Sequence, residues 1–476
     1  DFKKLDSITT SSATTFNLRQ NSVAVYPQSA NHCIVSLNGV IQAPIDAFTI
    51  VNDTIVFASS LASSDVINFI LVLGNVNDIG TPSDDTVSTA KLQANAVTTA
   101  KITDGNITAA KIASGVVPSL RPNVNPLIIN GNMAVAQRGT SASGKTSAGY
   151  YSVDRWNFAI SSGGTWTVSQ DTDVPSGEGF LTSAKYDCTT AEGSLGSAAY
   201  IQHRQSIEGQ NLQLLKKGTS NAEKLTVSFW VKATKTGTNI LELYDNTNNR
   251  QCSKAYTISS SNTWEKKVVN FPADTSGALA NNNSGALNVQ FYLGAGSNLS
   301  SGTLQETWAG YVNANRAVGQ VNHADSTSNN FWITGVQLEV GEYTSSTLPP
   351  FQHETFSGNL HRCLRYYEKS YEVGVNPGTA TGTGIIRSGG NQGGRTSGRM
   401  GGGTTYVVGK RAAPTVVFYD SSGNSGVMSR LDQGSGTGTS QNATLASGSS
   451  KSMEVTSTGT YTGDVMNYHF TADAEL

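Results

Sequence analysis

A repeat between residues 87 and 117 restricts the fold of this chain more than any other feature. The segment reads TVSTAKLQANAVTTAKITDGNITAAKIASGVV, with lysines ten residues apart. A period of five matches neither the 3.6 residues of a helical turn nor the two-residue alternation of a strand, so no single helix or flat strand can bury the whole set. Aliphatic residues occupy every fifth position, namely Val87, Leu92, Val97, Ile102, Ile107, Ile112 and Val117.

The repeat carries too little apolar surface to order itself as a single chain. Each unit offers two aliphatic side chains, whose full burial contributes roughly 3–6 kcal/mol. Fixing the backbone of such a unit costs roughly 10–20 kcal/mol. Several copies wound about a common axis would bury the aliphatic residues between chains. We therefore expect an intertwined shaft over residues 81–120, with a flexible linker as the alternative.

The composition of the whole chain is typical of an all-β protein with many tight turns. Of 476 residues, 49 are Gly and only 14% are charged, and short β-branched and aromatic runs are separated by turn residues. The net charge is −2 without a basic block, which argues against a nucleic-acid partner and against membrane binding. The longest apolar run, at 66–74, is about half a membrane span. Because the chain begins at Asp1 without Met or a signal peptide, we expect part of a longer or processed polypeptide.

Alternating patterns predict a small β domain over residues 1–80. CIVSLNGVIQ alternates apolar and polar residues up to Asn-Gly at 38–39, a strong signal for a hairpin turn. FTIVNDTIVFA predicts a second hairpin, with its turn at Asn-Asp 52–53. Residues 66–73 are expected to close this domain as a fully buried strand.

Residues 121–358 are predicted to form a β-sandwich of jelly-roll type. LTVSFWVKA at 225–233, ALNVQFYLGA at 286–295 and NFWIT at 330–334 each direct alternate apolar residues inward. Strands of this spacing, separated by polar turns, favour two packed antiparallel sheets.

Three aromatic residues on outward positions of these strands are candidates for sugar binding. Alternation directs Trp230, Tyr292 and Trp332 toward water. A flat ring there can cover the apolar side of a sugar while Asn, Gln and Lys bind its hydroxyls. The alternative is that loops or neighbouring subunits cover both outer faces.

The sequence after the sandwich predicts a short helix followed by a small β domain. The helix, NLHRCLRYYEKSY at 359–371, has its apolar residues on one stripe. Residues 372–476 are rich in Gly and keep strands such as PTVVFYD and DVMNYHF, which predicts a C-terminal β knob. We expect its loops to recognise a sugar or a surface protein. The aromatic residues available for such contacts are Tyr406, Tyr419, Tyr461 and Tyr468.

Residues 139–149, GTSASGKTSAG, match the glycine-rich phosphate-binding signature. That signature functions between a buried strand and a helix. Here Gly149 follows three residues after Thr146, and no helical apolar series appears. We interpret the stretch as a polar connection between strands that binds no nucleotide.

No set of residues with the spacing of a metal or catalytic site stands out. The six histidines and four cysteines lack metal-ligand spacing, and no cofactor or metal is predicted. The cysteines are expected to be free and mostly buried: Cys33, Cys188, Cys252 and Cys363. Glycan hydrolysis would need two carboxylates about 5–9 Å apart across a cleft. Acidic residues close in sequence are equally expected at surface turns: Asp154, Asp171, Asp173, Asp187 and Glu192.

Several of these stretches resemble tail fibres of tailed bacteriophages, of the type that infects marine or cyanobacterial hosts. They are the VTTAKI repeat, PLIINGNMAVAQRGTS, LTVSFWVKA, TWEKKVVNF, VQLEVGEYTSS and KRAAPTVVFYDSSGNSG. The sandwich is similar to the carbohydrate-binding-module-like domains of phage tail proteins. The resemblance implies an elongated fibre in the virion, without enzymatic activity.

The resemblance also implies partners. Such fibres are homotrimers, which makes the period-five residues trimer contacts. It implies other tail proteins on the N-terminal side and a host surface polysaccharide or outer-membrane protein as the receptor, bound at the C-terminal tip. Two alternatives stay open: a tailspike enzyme that degrades surface polysaccharide, and a secreted bacterial glycan-binding protein.

Overall fold

The computed structural model describes residues 2–74, 125–389, 399–431, 438–458 and 465–476, and positions 92, 97, 98 and 102. The described residues are mainly β and pair in antiparallel sheets, as the sequence predicts. The chain divides into two compact units, Asp1–Lys111 and Ile112–Leu476. Within the described ranges, no helix has the length and hydropathy of a membrane span.

The first unit contains the predicted small β domain. Its strands are β1 (Phe2–Lys4), β2 (Thr15–Asn17), β3 (Arg19–Gln20), β4 (Val23–Ala24), β5 (Cys33–Leu37), β6 (Val40–Ile41), β7 (Phe48–Val51), β8 (Thr54–Phe57) and β9 (Ile67–Leu73). They form the sheets β1-β9-β5-β6 and β2-β8-β7 and the ribbon β3-β4.

Both predicted hairpins of this domain are present. Asn38 and Gly39 join β5 to β6 with φ of 51° and 82°, the left-handed conformation that a tight hairpin turn requires. Asn52, with φ of 55°, joins β7 to β8. The prediction that the closing strand is fully buried is wrong. β9 lies between β1 and β5, and it leaves Asn68 exposed while Ile70 is buried.

The second unit begins with a sandwich of two six-stranded sheets. Its strands are β10 (Ser141–Lys145), β11 (Asn157–Ser161), β12 (Thr165–Asp171), β13 (Ser183–Thr190), β14 (Tyr200–Glu208), β15 (Leu225–Ala233), β16 (Gly237–Asp245), β17 (Arg250–Ile258), β18 (Glu265–Phe271), β19 (Gly285–Ala295), β20 (Ala309–Gly310) and β21 (Asn330–Val340). The first sheet has the order β10-β12-β13-β21-β15-β18, and the second sheet the order β11-β14-β19-β16-β17-β20.

The inward residues predicted for the sandwich form its core. Val227 and Phe229 of the first sheet and Val289 and Phe291 of the second sheet are completely buried in one cluster. A helical turn, α1 (Ser297–Ser300), lies in the connection between β19 and β20. That connection and the residues that follow it fold back onto the second sheet.

The glycine-rich stretch is an edge strand of the first sheet. Residues 141–145 pair with β12, so they form a strand instead of the predicted connection. The strand is followed by bend and turn residues, not by a helix. The Lys145 Nζ lies 4.6 Å from the centre of the Tyr151 ring. This arrangement lacks the strand-to-helix turn of a phosphate-binding loop.

The predicted helix exists but has different limits. It is α2 (Phe356–Leu364), and its start is capped by Thr355, whose hydroxyl accepts a hydrogen bond from the Gly358 amide at 3.1 Å. The prediction of helix up to residue 371 is wrong, because residues 367–369 form a strand that pairs with the last strand of the chain.

The C-terminal residues form the predicted β domain. Its strands are β22 (Tyr367–Lys369), β23 (Ile386–Gly389), β24 (Arg399–Thr405), β25 (Thr415–Tyr419), β26 (Val427–Leu431), β27 (Gly438–Asn442), β28 (Thr444–Gly448), β29 (Ser452–Thr458) and β30 (Val465–Asp473). The long β30 pairs with β22, β23, β25 and β26, and β24, β29 and β28 form a second sheet.

The last residues of the chain are bound to the sandwich by buried ion pairs. Glu475 pairs with Arg155, and both side chains are almost inaccessible to solvent. Arg138 pairs with Asp473 at 2.9 Å and lies 3.5 Å from Glu475. Arg411 donates to the Glu475 carbonyl at 2.7 Å. The C-terminal segment is therefore held against the sandwich.

Candidate functional site

The outer face of the first sheet holds two of the predicted aromatic residues. Trp230 is half-buried, but Trp332 is only 7% exposed, so its predicted position in water is wrong. The reason is that Lys232 covers the Trp332 ring, with its Nζ 4.5 Å from the ring centre. The indole of Trp332 also donates to Asp171 at 3.1 Å.

The remaining polar groups around these rings are paired with one another. Asp173 accepts from Lys232, and the Trp264 indole donates to it at 2.9 Å. Lys185 lies 3.8 Å from Asp171. We call these residues, with Trp230 and Trp332, the tryptophan face. Most of its hydrogen-bonding groups already have partners, so few are left for a ligand.

The outer face of the second sheet is partly covered by the segment between β19 and β21. Leu299 and Ala317 of this segment pack against Ile240 and Tyr292. Tyr292 is consequently 0% exposed, and its predicted contact with solvent is wrong. Of the two alternatives from the sequence, coverage by a loop applies here.

A buried carboxylate fixes that segment to the sheet. Glu242 of β16 accepts from the Arg316 guanidinium at 2.9 and 2.7 Å and from the Tyr292 hydroxyl at 3.0 Å. Burial, reinforced by Glu242, raises the pKa of Tyr292, which keeps the phenol protonated as the donor. Burial alone would lower the pKa of Arg316, but the charge of Glu242 raises it, so the guanidinium stays protonated.

An open cleft of about 360 Å³ lies beside this covered part of the second sheet. Its floor consists of outward residues of β14 and β19, and its walls are four tyrosines, the covering segment and the end of the chain. The floor residues are Gln202, Arg204, Ser206, Asn288 and Gln290. The wall residues include Tyr150, Tyr200, Tyr244, Tyr311, Arg316 and Leu476. The volume lies in the range of small-ligand sites.

The floor contains buried amides with unused hydrogen-bonding capacity. Asn288 is 7% and Gln290 is 2% exposed. Among the hydrogen bonds of the described residues, neither side-chain amide has a partner. Buried polar groups are ordinarily paired, so these amides are available to a ligand. Arg204 lies opposite Gln290 in the strand register and is half-buried.

The tyrosine walls present flat rings toward the cleft. Tyr244 and Tyr311 meet edge to face with ring centres 5.8 Å apart, and the Arg316 guanidinium lies 5.2 Å from each centre. Tyr311 is 37% exposed. On the opposite wall, the Tyr150 hydroxyl donates to the Leu476 carbonyl at 2.7 Å. Burial raises the pKa of Tyr150 to about 12, so it is a neutral donor.

The three tip tyrosines that the structure describes do not form a site together. Tyr406 and Tyr468 belong to the buried core of that domain, so their predicted exposure is wrong. Tyr419 is half-buried and lies 6.0 Å from the Tyr371 ring. Tyr461 lies outside the described residues.

The period-five residues lie mostly outside the described part of the chain. Leu92 and Val97 are described and are 48% and 56% exposed, and Ile102 is half-buried. The positions outside the described residues are Val87, Ile107, Ile112 and Val117. Their role as contacts between chains stays a prediction.

The acidic residues weighed for hydrolysis are not gathered in the cleft. Asp154 is buried and accepts from Gln137, beside Arg138. Asp171 and Asp173 belong to the tryptophan face. Within the described ranges, no group of three potential metal-ligating residues is present. All four cysteines are free and buried, as predicted.

Sequence reasoning missed the cleft because it weighed only aromatic residues on outward positions. The strand YIQHRQSIE, β14, carries the floor residues Gln202, Arg204 and Ser206 at alternate positions. This alternation was the available signal. The wall tyrosines come from four separate segments, which a strand pattern cannot bring together.

The chain is similar in part to solved proteins. One is the enzymatically active domain of tailspike protein 4 of Bacteriophage CBA120 (15% identity, TM-score 0.23, 45% of this chain and 21% of that chain). Another is the family 11 carbohydrate-binding module of a Clostridium thermocellum cellulase (12% identity, TM-score 0.21, 43% of this chain and 98% of that chain). A third is a putative sugar binding protein from Bacteroides thetaiotaomicron (14% identity, TM-score 0.24, 45% of this chain and 100% of that chain).

This chain thus spans about a fifth of the length of the tailspike domain. No protein-family model matches the chain, and no curated protein matches it. The TM-scores are low, and the β-sandwich is defined by the strand order and register of its own two sheets.

Proposed function

We propose that this protein binds glycan in the cleft on the second sheet. The observation that carries the proposal is the combination of two buried amides without partners and tyrosine rings at the walls of one open cleft. A sugar ring has an apolar side that packs on an aromatic ring and hydroxyls that pair with amides.

Binding without hydrolysis is the mode that we propose. Hydrolysis needs a proton donor and a second carboxylate across the scissile bond. Glu242, the carboxylate beneath this cleft, is engaged by Arg316 and Tyr292. Release of reducing ends from a bound polysaccharide would contradict this part and favour the tailspike enzyme.

The wider role that we propose is adhesion of a bacteriophage tail fibre to its host as a homotrimer. Its support is the period-five repeat, whose residues Leu92 and Val97 are exposed on the single chain. Exposed aliphatic residues at a regular spacing are covered when chains wind around each other. A single-chain mass by light scattering would contradict the trimer and leave the cleft untouched.

The binding proposal is tested with a panel of purified bacterial surface polysaccharides. Tyr311→Ala removes a ring that is partly exposed, so the fold should persist while affinity falls up to about tenfold. Trp230→Ala removes a half-buried ring on the tryptophan face and serves as the matched control. If the Trp230 variant lost affinity and the Tyr311 variant kept it, the glycan would bind on the first sheet, which would contradict this proposal.

A further inference from the structure

The cleft floor contains one cation, Arg204, that forms no ion pair among the described residues. Arg204 is half-buried, and none of the ion pairs formed among the described residues includes it. The other arginine of the cleft, Arg316, is neutralised by Glu242 through two short hydrogen bonds. Arg316 therefore fixes the covering segment to the sheet, whereas Arg204 is available to bind a ligand.

Two side-chain carboxylates on this side of the sandwich pair with other arginines. Glu242 lies in the same row of the sheet, two strands away beyond Gln290, or about 10 Å. Glu475, at the end of the chain, pairs with Arg155 and Arg138. An arginine without an ion-pair partner in a partly enclosed cleft can bind an anion, because its planar fork matches a carboxylate or sulfate.

The neighbours of Arg204 suit the remainder of a sugar residue. Gln290 lies directly opposite Arg204 on β19, and Asn288 lies opposite Ser206. Both amides without partners therefore lie on the same face of the sheet as Arg204. Gln290 is its direct cross-strand neighbour, and Asn288 is its diagonal neighbour. An anionic group at Arg204 would bring the hydroxyls of its own ring to these amides.

We propose that the cleft takes an acidic sugar residue, with its anionic group at Arg204 and its hydroxyls at Gln290 and Asn288. The ligand class is an anionic polysaccharide that carries uronate or sulfate groups. This inference rests on the proposed glycan binding and adds the charge of the ligand to it. Neutral glycans would use the tyrosine walls and the amides but leave Arg204 empty.

The test compares matched polysaccharides on the full chain. The probes are polygalacturonate and alginate, the carboxyl-reduced form of each, and a sulfated galactan. We expect one or more acidic probes to bind about 10- to 100-fold more tightly than the neutral forms at low salt. The preference should weaken as salt is added. Uronate or sulfate binding identifies which anion is used.

Two substitutions link the preference to this residue. Arg204→Gln should make the acidic and neutral forms bind alike, whereas Arg204→Lys should keep part of the preference. Lys266→Gln removes one exposed positive charge from the other sheet and should change nothing. Equal binding of acidic and neutral forms by the unsubstituted protein, or a preference that persists in Arg204→Gln, would overturn the inference and leave glycan binding in place. If neither these probes nor the panel of bacterial surface polysaccharides bound, both the inference and the proposed glycan binding would be overturned.

Discussion

The two outer faces of the sandwich show that an outward aromatic residue does not by itself indicate a binding site. On the first sheet, Lys232 covers the Trp332 ring and donates to Asp173, and the Trp332 indole donates to Asp171. On the second sheet, Gln290 and Arg204 face a cleft without partners among the described residues. The tryptophan face is richer in large rings, yet the cleft has more hydrogen-bonding capacity left for a ligand.

The difference follows from where the partners come from. The tryptophan face is completed by β12 and the loop after it, which bring Asp171 to Trp332 of β21 and Asp173 to Trp264, the residue before β18. The second sheet is completed only on one side, where Glu242 holds Arg316. The floor residues of β14 and β19 line the open cleft beside that ion pair. The cleft is thus the part of the face that the loop leaves uncovered.

The largest expected effect is a loss of stability when the C-terminal segment, which forms one wall of the cleft, loses its ion pair. Glu475→Ala should lower the free energy of unfolding of the second unit by about 3–5 kcal/mol, because it leaves Arg155 buried without its carboxylate. The C-terminal wall at Leu476 would be lost with it. Urea unfolding of the purified protein measures the loss.

An exposed ion pair provides the control for that substitution. Lys224 and Glu342 pair at 2.5 Å with about half of each side chain in solvent. Glu342→Ala should therefore cost less than about 1 kcal/mol. Equal losses in the two variants would mean that the C-terminal segment is not anchored by Arg155.

The next prediction concerns a substitution in the cleft that should change ligand affinity but not the free energy of unfolding. Gln290→Ala removes an amide without a partner, so the free energy of unfolding should change by less than about 1 kcal/mol. Affinity for the bound polysaccharide should fall about fivefold, because a hydrogen bond to the ligand is lost. Calorimetric titration measures the affinity.

Asn270 on the first sheet gives the opposite pattern. Its amide accepts from Thr226 at 2.6 Å and donates to the Tyr343 carbonyl at 2.9 Å. Asn270→Ala should lower stability by about 1–2 kcal/mol and leave affinity unchanged. A fall of affinity in this variant, or its absence in Gln290→Ala, would reverse the roles assigned to the two faces.

The sequence predicts the interior of the sandwich well and its exterior poorly. Val227 and Phe229 are placed correctly because a two-residue period decides which side chains share a face. It does not decide what covers that face. The Trp332 indole donates to Asp171, 161 residues away, and Glu242 accepts from Arg316, 74 residues away. Local patterns carry no information about such pairs.

The end of the predicted helix illustrates the same limit. The stretch 359–371 has a helical stripe, yet Tyr367 begins a strand because β30, about a hundred residues later, offers a partner for it. The same pairing brings the C-terminal residues to the cleft wall. The tertiary contact that shortened the helix therefore also helped to build the site, and neither is visible in the local sequence.

The smallest expected effect tests whether the tryptophan face is as complete as its contacts indicate. Asp173→Asn keeps an oxygen for the Trp264 indole but removes the charge that pairs with Lys232. Because 39% of the Asp173 side chain is in solvent, the loss of stability should be at most about 1 kcal/mol and smaller at high salt. Polysaccharide affinity should stay unchanged, since every group altered lies on the sheet opposite the cleft. If the substitution instead raised affinity for an acidic probe, the freed Lys232 would be binding it, and the first sheet would have to be counted as a second binding face.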